Sequence, residues 1–420
     1  MMNSGALVAG LDVGTTKVCA VIAERDEWGQ IKILGLGQAL STGVARGVVL
    51  NIEHTMRAIQ QAVQEAERMA GVEVKALYVG IAGEHVQSLI NRAIITIRSE
   101  EIRENDVRRL TEEAQRLALP PDRQILHILP QEFIVDNRYA VQNPVGMAGL
   151  RLEGVFLVVT GLVTAIRNLQ RCVERAGYEV ADIVLQPFAS GMAVLDPEEQ
   201  RAGVALIDIG GGTTDVAVFE DNTIRYMAVV PFGGNKVTDD LRHALQLLPE
   251  QAESLKLHYG CARTDLIREV AQITIPGISG RPPRTIEQSA LAHFIQASME
   301  EILDRVYEEL KRSGYMRRLT AGVVLTGGGA LLRGLPELVS DRLELEARLG
   351  LPVGIHAGIV DEIRSPKYAT GVGLIRYAFD LSAQEGMFIR SARDTGASFG
   401  DIFTRVWQWL RRLKDNLFES

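Results

Sequence analysis

Apolar and polar positions along this chain predict the same structural unit twice. In the first half, apolar runs over 7–12, 18–24 and 31–38 predict three consecutive strands, and an amphipathic helix follows over 52–69. In the second half, runs over 204–208, 216–220 and 223–230 predict three more strands, before a charged helical region over 235–259. Strands that alternate with amphipathic helices indicate α/β layers. The recurrence of the unit indicates gene duplication and hence two related lobes.

The stretch between the two units has a different pattern. Over about 84–152 it predicts a helix at 106–119, a break at Pro120 and Pro121, and short strands near 125–135. An apolar run over 155–160 then resumes the character of a buried strand. Further on, 287–313 predicts a long helix, and the residues after 381 become rich in Ser, Ala and Gly, which is typical of a linker.

Each of the two units carries a tight Asp-x-Gly turn directly after its first strand. Backbone N–H groups in such a turn form an anion-binding nest, and threonine hydroxyls and a lysine add donors for a phosphate. Asp12 and Asp208, at the strand ends, supply the oxygen ligands that Mg²⁺ prefers. A simple hairpin whose Asp and Thr cap the backbone is the alternative, and the repetition favours phosphate binding. The candidate ligands are Gly14, Thr15, Thr16 and Lys17 in the first turn, and Gly210, Gly211, Gly212, Thr213 and Thr214 in the second.

A third glycine-rich turn, Gly327-Gly328-Gly329, follows an apolar strand and precedes a predicted helix. Glycine allows the backbone to approach a ligand closely, here the ribose and α-phosphate of a nucleotide. A flexible strand-to-helix connection is the alternative, and the two phosphate turns favour the ligand.

The residues at 401–418 predict an amphipathic helix near the C-terminus of this sequence. Tryptophan on the apolar side and arginine on the polar side are typical of a helix that lies in a membrane interface without spanning it. Packing against the protein core is the alternative, and the linker at 381–400 favours the membrane. The apolar half holds Ile402, Phe403, Val406, Trp407, Trp409, Leu410, Leu413, Leu417 and Phe418, and the polar half holds Arg405, Arg411 and Arg412.

Composition excludes several other classes of protein. The net charge of −8 argues against a nucleic-acid-binding protein, because no broad cationic field is available. Three scattered cysteines indicate a reducing cytoplasm, and scattered histidines argue against a zinc site. We expect no signal peptide, and no apolar run reaches the length of about 20 residues that spans a bilayer.

The phosphate turns resemble those of the actin, Hsp70 and sugar-kinase superfamily, in which two duplicated lobes clasp ATP. More narrowly, and along essentially its whole length, the chain resembles the FtsA family of bacterial cell division proteins. The segments that carry this narrower resemblance are far more specific than the phosphate turns. They lie at 41–49 (STGVARGVV), 127–133 (HILPQEF), 143–147 (NPVGM) and 280–284 (GRPPR).

The resemblance implies an α/β fold of the actin-like, duplicated two-lobe kind, with ribonuclease H-like halves, an FtsA-type extra subdomain and the C-terminal amphipathic helix. It also implies the boundaries of four subdomains. In the first lobe, the core (1A) comprises 1–83 and 153–195 and is completed by about 358–380, and the extra subdomain (1C) comprises 84–152. In the second lobe, the core (2A) comprises 196–230 and 314–357, and subdomain 2B comprises 231–313.

The resemblance further implies ATP and Mg²⁺ as cofactors. The implied catalytic residues are Asp12, Gln186 and Asp208. The two aspartates would bind Mg²⁺ directly or through water, and Gln186 would orient the attacking water. A buried glutamine at a helix start is the alternative for Gln186. Any hydrolysis is expected to be slow. Around the rest of the nucleotide the implied contacts are Gly234, the pair Glu253 and Lys256 beside adenine and ribose, and the triple glycine under the sugar.

The implied function is that of an ATP-binding protein that polymerises head to tail and tethers the FtsZ ring to the cytoplasmic face of the membrane at the division site. Arg281 and Arg284 of subdomain 2B would receive the acidic C-terminal tail of FtsZ, although two such arginines are also common in a solvated loop. Subdomain 1C would contact the neighbouring subunit and later division proteins, and the C-terminal helix would bind anionic lipid. The alternatives are a pilus-assembly relative and a sugar or small-metabolite kinase, neither of which needs the amphipathic tail.

Overall fold

The computed structural model describes residues 7–268, 271–275, 277 and 282–388, with side chains described as far as residue 381. Nineteen strands lie within these ranges. They are β1 (Leu7–Val13), β2 (Lys17–Arg25), β3 (Ile31–Leu40), β4 (Val44–Ala45), β5 (Val48–Val49), β6 (Ala76–Ile81), β7 (Gln87–Thr96), β8 (Arg123–Val135), β9 (Tyr139–Val141), β10 (Arg151–Leu162), β11 (Glu179–Leu185), β12 (Val204–Ile209), β13 (Thr214–Glu220), β14 (Thr223–Val230), β15 (Gln272–Ile275), β16 (Arg284–Glu287), β17 (Val323–Thr326), β18 (Ala347–Leu349) and β19 (Ile355–Gly358).

Eleven α-helices occupy the same described ranges. They are α1 (Ile52–Ala70), α2 (Glu104–Gln115), α3 (Val163–Arg175), α4 (Gln186–Val194), α5 (Pro197–Ala202), α6 (Gly234–Leu245), α7 (Pro249–Tyr259), α8 (Gln288–Ser313), α9 (Leu335–Leu343), α10 (Val360–Ile363) and α11 (Ala369–Phe388). None of the described helices combines the length and the apolarity that a bilayer span requires.

The two lobes contain equivalent sheets. The first-lobe sheet has the order β11-β6-β1-β2-β3-β19, and the second-lobe sheet, taken in the same direction, has the order β18-β17-β12-β13-β14. In both sheets the first three strands of the unit form antiparallel pairs, and the later strands add in parallel. The repeated sequence unit therefore folds into a repeated sheet, and its two glycine-rich turns occupy the same place in each.

A separate antiparallel sheet, β7-β10-β8-β9, is inserted between β6 and α3 of the first lobe. Its core centres on Phe133, Phe156 and Leu110, with α2 packed on one face. The insert also reaches the second lobe. Gln131 Nε2 donates a hydrogen bond of 2.9 Å to the carbonyl of Ile224, and Arg225 Nη1 donates one of 3.0 Å to the carbonyl of Gln131.

Several predicted boundaries are corrected by the pairing of strands. Residues 153–162 were assigned to the first-lobe core, but they belong to β10, the central strand of the inserted sheet. Burial on both faces makes such a strand look like a parallel core strand in sequence. Residues 355–357 were assigned to the second lobe, but β19 pairs with β3 of the first.

Helix ends also differ from the predictions. The charged region at 235–259 is two helices, because Gln246 adopts φ = 50° and Pro249 starts α7. The helix predicted at 106–119 ends at Gln115. The short strands near 125–135 are one strand, β8, of 13 residues. The first part of the linker predicted at 381–400 is helical, because α11 continues to Phe388, and Leu381 packs into the cluster that contains Leu374 and Tyr377. Residues 389–400 and the predicted helix at 401–418 lie outside the described residues.

Candidate functional site

The two Asp-x-Gly turns have the same backbone geometry. The N–H of Gly14 donates a hydrogen bond of 2.9 Å to the carbonyl of Lys17, and the N–H of Gly210 donates one of 2.9 Å to that of Thr213. Each bond closes a tight turn at the end of a buried antiparallel pair, β1–β2 or β12–β13. Apolar strands fix the two hairpins in their sheets, and the polar turn residues project from the sheet ends.

The tips of the two hairpins touch each other. A Cβ built on Gly211 would lie 2.4 Å from Thr16 Cγ2, and one built on Gly212 would lie 2.6 Å from Thr15 Oγ1. Glycine is therefore needed at both positions for a reason that the sequence did not reveal. It allows the second turn to approach the threonines of the first.

A cavity of about 210 Å³ opens between these turns. Its walls come from both lobes, and it includes most of the predicted phosphate ligands. The lining residues are Asp12, Val13, Gly14, Thr15, Thr16, Lys17, Gly47, Ala82, Gln186, Asp208, Gly210, Gly211, Gly212, Thr213, Asp215, Gly327, Gly328, Pro366, Lys367 and Thr370.

Three carboxyl groups, those of Asp12, Asp208 and Asp215, line this cavity. Burial raises the pKa of Asp12, an effect that Lys17 opposes. Burial and the neighbouring Asp12 together raise the pKa of Asp208 to about 6. The pKa of Asp215 is raised well above its usual value by burial and by the charges of Asp208 and Asp12. Such a group of buried, mutually repelling carboxylates attracts a cation.

The carboxylates suit a hard divalent cation such as Mg²⁺. Asp215 is 5% exposed, and its Oδ1 has no hydrogen-bond partner among the described residues. Within those residues no three His, Cys, Asp or Glu side chains are close enough to share one metal. Magnesium is often held by one or two carboxylates and completed by water and phosphate oxygens. The arrangement fits that mode of binding, with Asp12 and Asp208 as the predicted ligands.

Lys17 lies at the edge of the cavity, between the first turn and the segment that directly precedes α11. Its Nζ donates a hydrogen bond of 2.5 Å to the carbonyl of Lys367 and lies 4.6 Å from the centre of the Tyr368 ring. These contacts hold the ammonium group beside the cavity, and among the described residues no carboxylate forms an ion pair with it. Lys17 can therefore turn to an anion by exchanging a carbonyl for a phosphate oxygen.

Helix α4 connects the site to the body of the protein. At its first residue, Gln186 Nε2 donates a hydrogen bond of 3.0 Å to Asp12 Oδ1. One turn later, Ser190 Oγ lies 3.0 Å from both Asp208 Oδ2 and Thr370 Oγ1. One helix thus orients the two aspartates of the two lobes, and Ser190 and Thr370 were not recognised from the sequence.

The triple glycine is divided between two roles. Gly327 has φ = 83°, and a Cβ there would lie within 2.4 Å of Asp208 Oδ1. Gly327 and Gly328 line the cavity, whereas a Cβ on Gly329 would strike the side chain of Ile209. Two of the three glycines therefore face the cavity, and the third permits packing against β12.

A second, larger cavity of about 620 Å³ adjoins the first, since Thr16 lines both. Helices α6 and α7 form one wall, and Glu253 belongs to it. Lys256 lies behind this wall, with its Nζ 2.7 Å from Glu253 Oε2 and 3.0 Å from the carbonyl of Gly234. The carboxylate and ammonium groups that were predicted to bracket adenine and ribose therefore pair with each other.

The remaining predicted residues fall in other places. Thr214 does not line the cavity, because its hydroxyl donates a hydrogen bond of 2.8 Å to the carbonyl of Phe232. Arg284 is exposed at the start of β16. Arg281 lies outside the described residues, as do the twelve named residues of the predicted membrane helix, Ile402, Phe403, Arg405, Val406, Trp407, Trp409, Leu410, Arg411, Arg412, Leu413, Leu417 and Phe418.

Some lining residues were missed because no local pattern marks them. Gly47, Ala82, Lys367 and Thr370 lie far apart in sequence and meet only in the folded chain. Asp215 is another lining residue that the sequence analysis did not identify. Its position opposite Asp208 in the β12–β13 register was the available signal, because cross-strand partners lie on the same face.

Comparison with known proteins agrees with this architecture. Residues 205–373 match the family model of the cell division protein FtsA, and residues 83–160 match the model of the SHS2 domain inserted in FtsA. The chain is 40% identical over 416 residues to the FtsA of Pseudomonas aeruginosa, which covers 98% of this chain and 99% of that protein. It is 33% identical to the FtsA of Escherichia coli, covering 97% and 98% of the two chains.

Solved structures show the same fold at low sequence identity. The type IV pilus biogenesis complex PilM–PilN contains a chain with a TM-score of 0.61 at 16% identity, covering 89% of this chain and 98% of that one. MreB5 of Spiroplasma citri bound to ADP has a TM-score of 0.55 at 15% identity, covering 92% and 99%. The predicted actin-like two-lobe fold is thereby confirmed. With a shared identity above 30% over nearly its full length, the chain belongs to the FtsA family of cell division proteins.

Proposed function

We propose that this protein binds Mg²⁺–ATP between its lobes, polymerises head to tail, and tethers the FtsZ ring to the cytoplasmic face of the membrane at the division site. The observation that carries the nucleotide part is the meeting of two equivalent hairpin turns beside the partly buried residues Asp12 and Asp208. Membership of the FtsA family supports the part that concerns cell division.

In the proposed complex the triphosphate lies between the two turns. The backbone N–H groups and threonine hydroxyls of both turns donate to its oxygens, and Lys17 adds a positive charge. Bound Mg²⁺ would neutralise phosphate charge beside Asp12 and Asp208. The base and ribose extend past Thr16 into the larger cavity, toward Glu253 and the helix that carries Lys256.

Hydrolysis is proposed to be slow. Gln186 is the residue at the cavity that can hold a water by its amide while it also orients Asp12. We assign no general base, because Asp12 and Asp208 are assigned to the cation and also accept hydrogen bonds from Gln186 and Ser190. Positioning without base catalysis is typical of a nucleotide that serves as a conformational ligand.

The membrane part of the proposal rests on the sequence at 401–418. A single amphipathic helix with three arginines gains about 1 kcal/mol per basic residue at an anionic surface, so we expect reversible binding. Several such helices on one filament bind far more firmly through their effective concentration. Polymerisation would then control attachment. The further proposed contacts are the acidic FtsZ tail at Arg281 and Arg284 of subdomain 2B, and later division proteins at subdomain 1C.

The nucleotide site is tested by titrating a fluorescent ATP analogue with and without Mg²⁺. Asp208→Asn keeps the size of the side chain and removes its charge, so we expect the affinity for Mg²⁺–ATP to fall at least about a hundredfold. The same change at exposed Asp361 serves as the control. Unchanged affinity in Asp208→Asn would remove the site assignment.

The tether is tested by co-sedimentation with anionic vesicles, with and without FtsZ and ATP. The full chain is expected to carry FtsZ to the vesicles, and a chain shortened to residue 400 is expected to leave it in solution. Arg284→Glu should weaken the FtsZ contact while lipid binding stays normal. Equal vesicle binding by the shortened chain would contradict the tether and favour the pilus-assembly alternative, whereas ATP turnover stimulated by a sugar would favour the kinase.

A further inference from the structure

A further cavity is lined by α4, β13 and α11, elements that also contribute to the phosphate site. It has a volume of about 220 Å³ and is separate from the cavity between the two turns. Helix α4 contributes Phe188 and Met192 to it, α11 contributes Arg376, and β13 contributes Phe219. The first lobe, the second lobe and the inserted sheet all supply walls, since Leu129 belongs to β8 of the insert.

Apolar side chains form about half of the wall, and several of them are buried. Leu195 is 3% exposed, Phe219 3% and Met192 7%. The amide side chains of Gln200 and Asn222 stand at the border of the cavity. Such a combination of an apolar body and a few polar groups is the usual composition of a small-molecule site.

Arg376 is the exceptional residue of this cavity. No carboxylate among the described residues lies within ion-pair distance of its guanidinium, whose hydrogen bond is a long one of 3.5 Å from Nη1 to the carbonyl of Val353. Burial alone lowers the pKa of this group, without a compensating charge. Asp380 lines the same cavity one turn further along α11.

A partly buried guanidinium with an incomplete set of hydrogen bonds favours a planar anion, because a carboxylate can accept two of its N–H groups at once. Phe219 and Leu195 offer no hydrogen bonds to an anion, so that part of the wall favours a ligand with an apolar body over a bare inorganic anion. The complementary ligand has one carboxylate and a compact apolar body.

We propose that this cavity binds a free small carboxylic acid with an apolar body of about ten non-hydrogen atoms, with its carboxylate on Arg376 and its apolar part against Phe188, Met192, Leu195 and Phe219. The volume of 220 Å³ sets that size. No residue of the phosphate cavity takes part, so the proposal stands independently of nucleotide binding.

Octanoate is a suitable probe, and octanol is its neutral counterpart of nearly equal size. Met192 provides a direct reporter, because its methyl group lies in the wall and can be observed by NMR after labelling of the methionine methyl groups. We expect the Met192 signal of the full chain to shift with octanoate and to saturate in the millimolar range. Octanol should bind at least about tenfold more weakly, since it lacks the charge.

Variants of Arg376 test how much its charge contributes to octanoate binding. Arg376→Gln is expected to weaken octanoate binding at least about tenfold and to leave octanol binding nearly unchanged, with Arg376→Lys in between. Arg57→Gln, at an exposed site on α1, is the control. The proposal is overturned if Met192 does not respond, if octanoate and octanol bind equally well, or if Arg376→Gln binds octanoate normally. The comparison of the two probes uses the unaltered protein, so it decides the matter even if a variant fails to fold.

Discussion

Gln186 at the start of α4 donates a 3.0 Å hydrogen bond to the Oδ1 of Asp12 at the end of β1. This bond fixes the carboxylate of the first phosphate turn to the helix whose Ser190 also holds Asp208. The two aspartates of the duplicated lobes are therefore oriented by a single element. Small changes in α4 should act on both turns together.

Replacing Gln186 should affect catalysis more than binding. In Gln186→Ala the turns and their backbone donors stay in place, so we expect ATP affinity to change by less than about threefold. Hydrolysis in a single turnover should fall about tenfold or more, since Asp12 loses its partner and a water loses a positioning amide. Gln60→Ala on α1 is the control. A hydrolysis rate equal to that of the unaltered protein would contradict the assigned role.

The contact between the turn tips can be tested by adding one methyl group. In Gly211→Ala the new Cβ would lie 2.4 Å from Thr16 Cγ2, so the turns must separate. We expect ATP affinity to fall about tenfold, because the donors of the two turns no longer converge on one phosphate. Adding Thr16→Ser removes that methyl group and keeps the hydroxyl, and it should restore part of the affinity. A double variant as weak as Gly211→Ala would count against this explanation.

His85 should make the protein sensitive to acid. It is buried in the wall of a small cavity beside Val13 and Ala82, and neither ring nitrogen has a hydrogen-bond partner among the described residues. Burial, with a smaller effect of Arg123, lowers its pKa to about 4. His85 therefore stays neutral in the folded protein at pH values where the unfolded chain, with a pKa near 6.5, already binds a proton. The free energy of unfolding is highest above pH 6.5 and decreases as the pH drops toward 4.

The expected loss is on the order of 2–3 kcal/mol between these pH values. His85→Leu should remove this part of the pH dependence and raise the free energy of unfolding at pH 5, as measured by urea denaturation at several pH values. His356→Leu, at an exposed position, should leave the pH dependence as it was. A His85→Leu curve parallel to that of the unaltered protein would show that His85 is not responsible.

The bridge between the insert and the second lobe should contribute to stability through Gln131. Its amide is 5% exposed and donates to the carbonyl of Ile224, so Gln131→Ala leaves that carbonyl without its donor. We expect a loss of about 1–3 kcal/mol in the free energy of unfolding and faster hydrogen exchange in β14. Gln124→Ala, on the same strand, is the matched control. Equal losses in the two variants would refute a specific bridge.

Local sequence patterns were sufficient to predict the repeated unit, its two Asp-x-Gly turns and the family. Each depends on local patterns. Alternating apolar residues specify a strand, glycine and threonine specify the turn, and the segments near 41–49 and 127–133 carry the family resemblance. The same locality explains the errors, because a strand buried on both faces does not reveal which sheet it joins. Residues 153–162 were misassigned for that reason.

Which side chains meet depends on the tertiary structure. The bond between Gln186 and Asp12 and the close approach of Gly211 to Thr16 join segments that are distant in sequence. The burial of Asp215 likewise follows only from packing, which removes water from its carboxylate. A carboxylate has an ordinary pKa in an isolated turn. It acquires a raised one only when packing removes its solvent and brings a second carboxylate close to it.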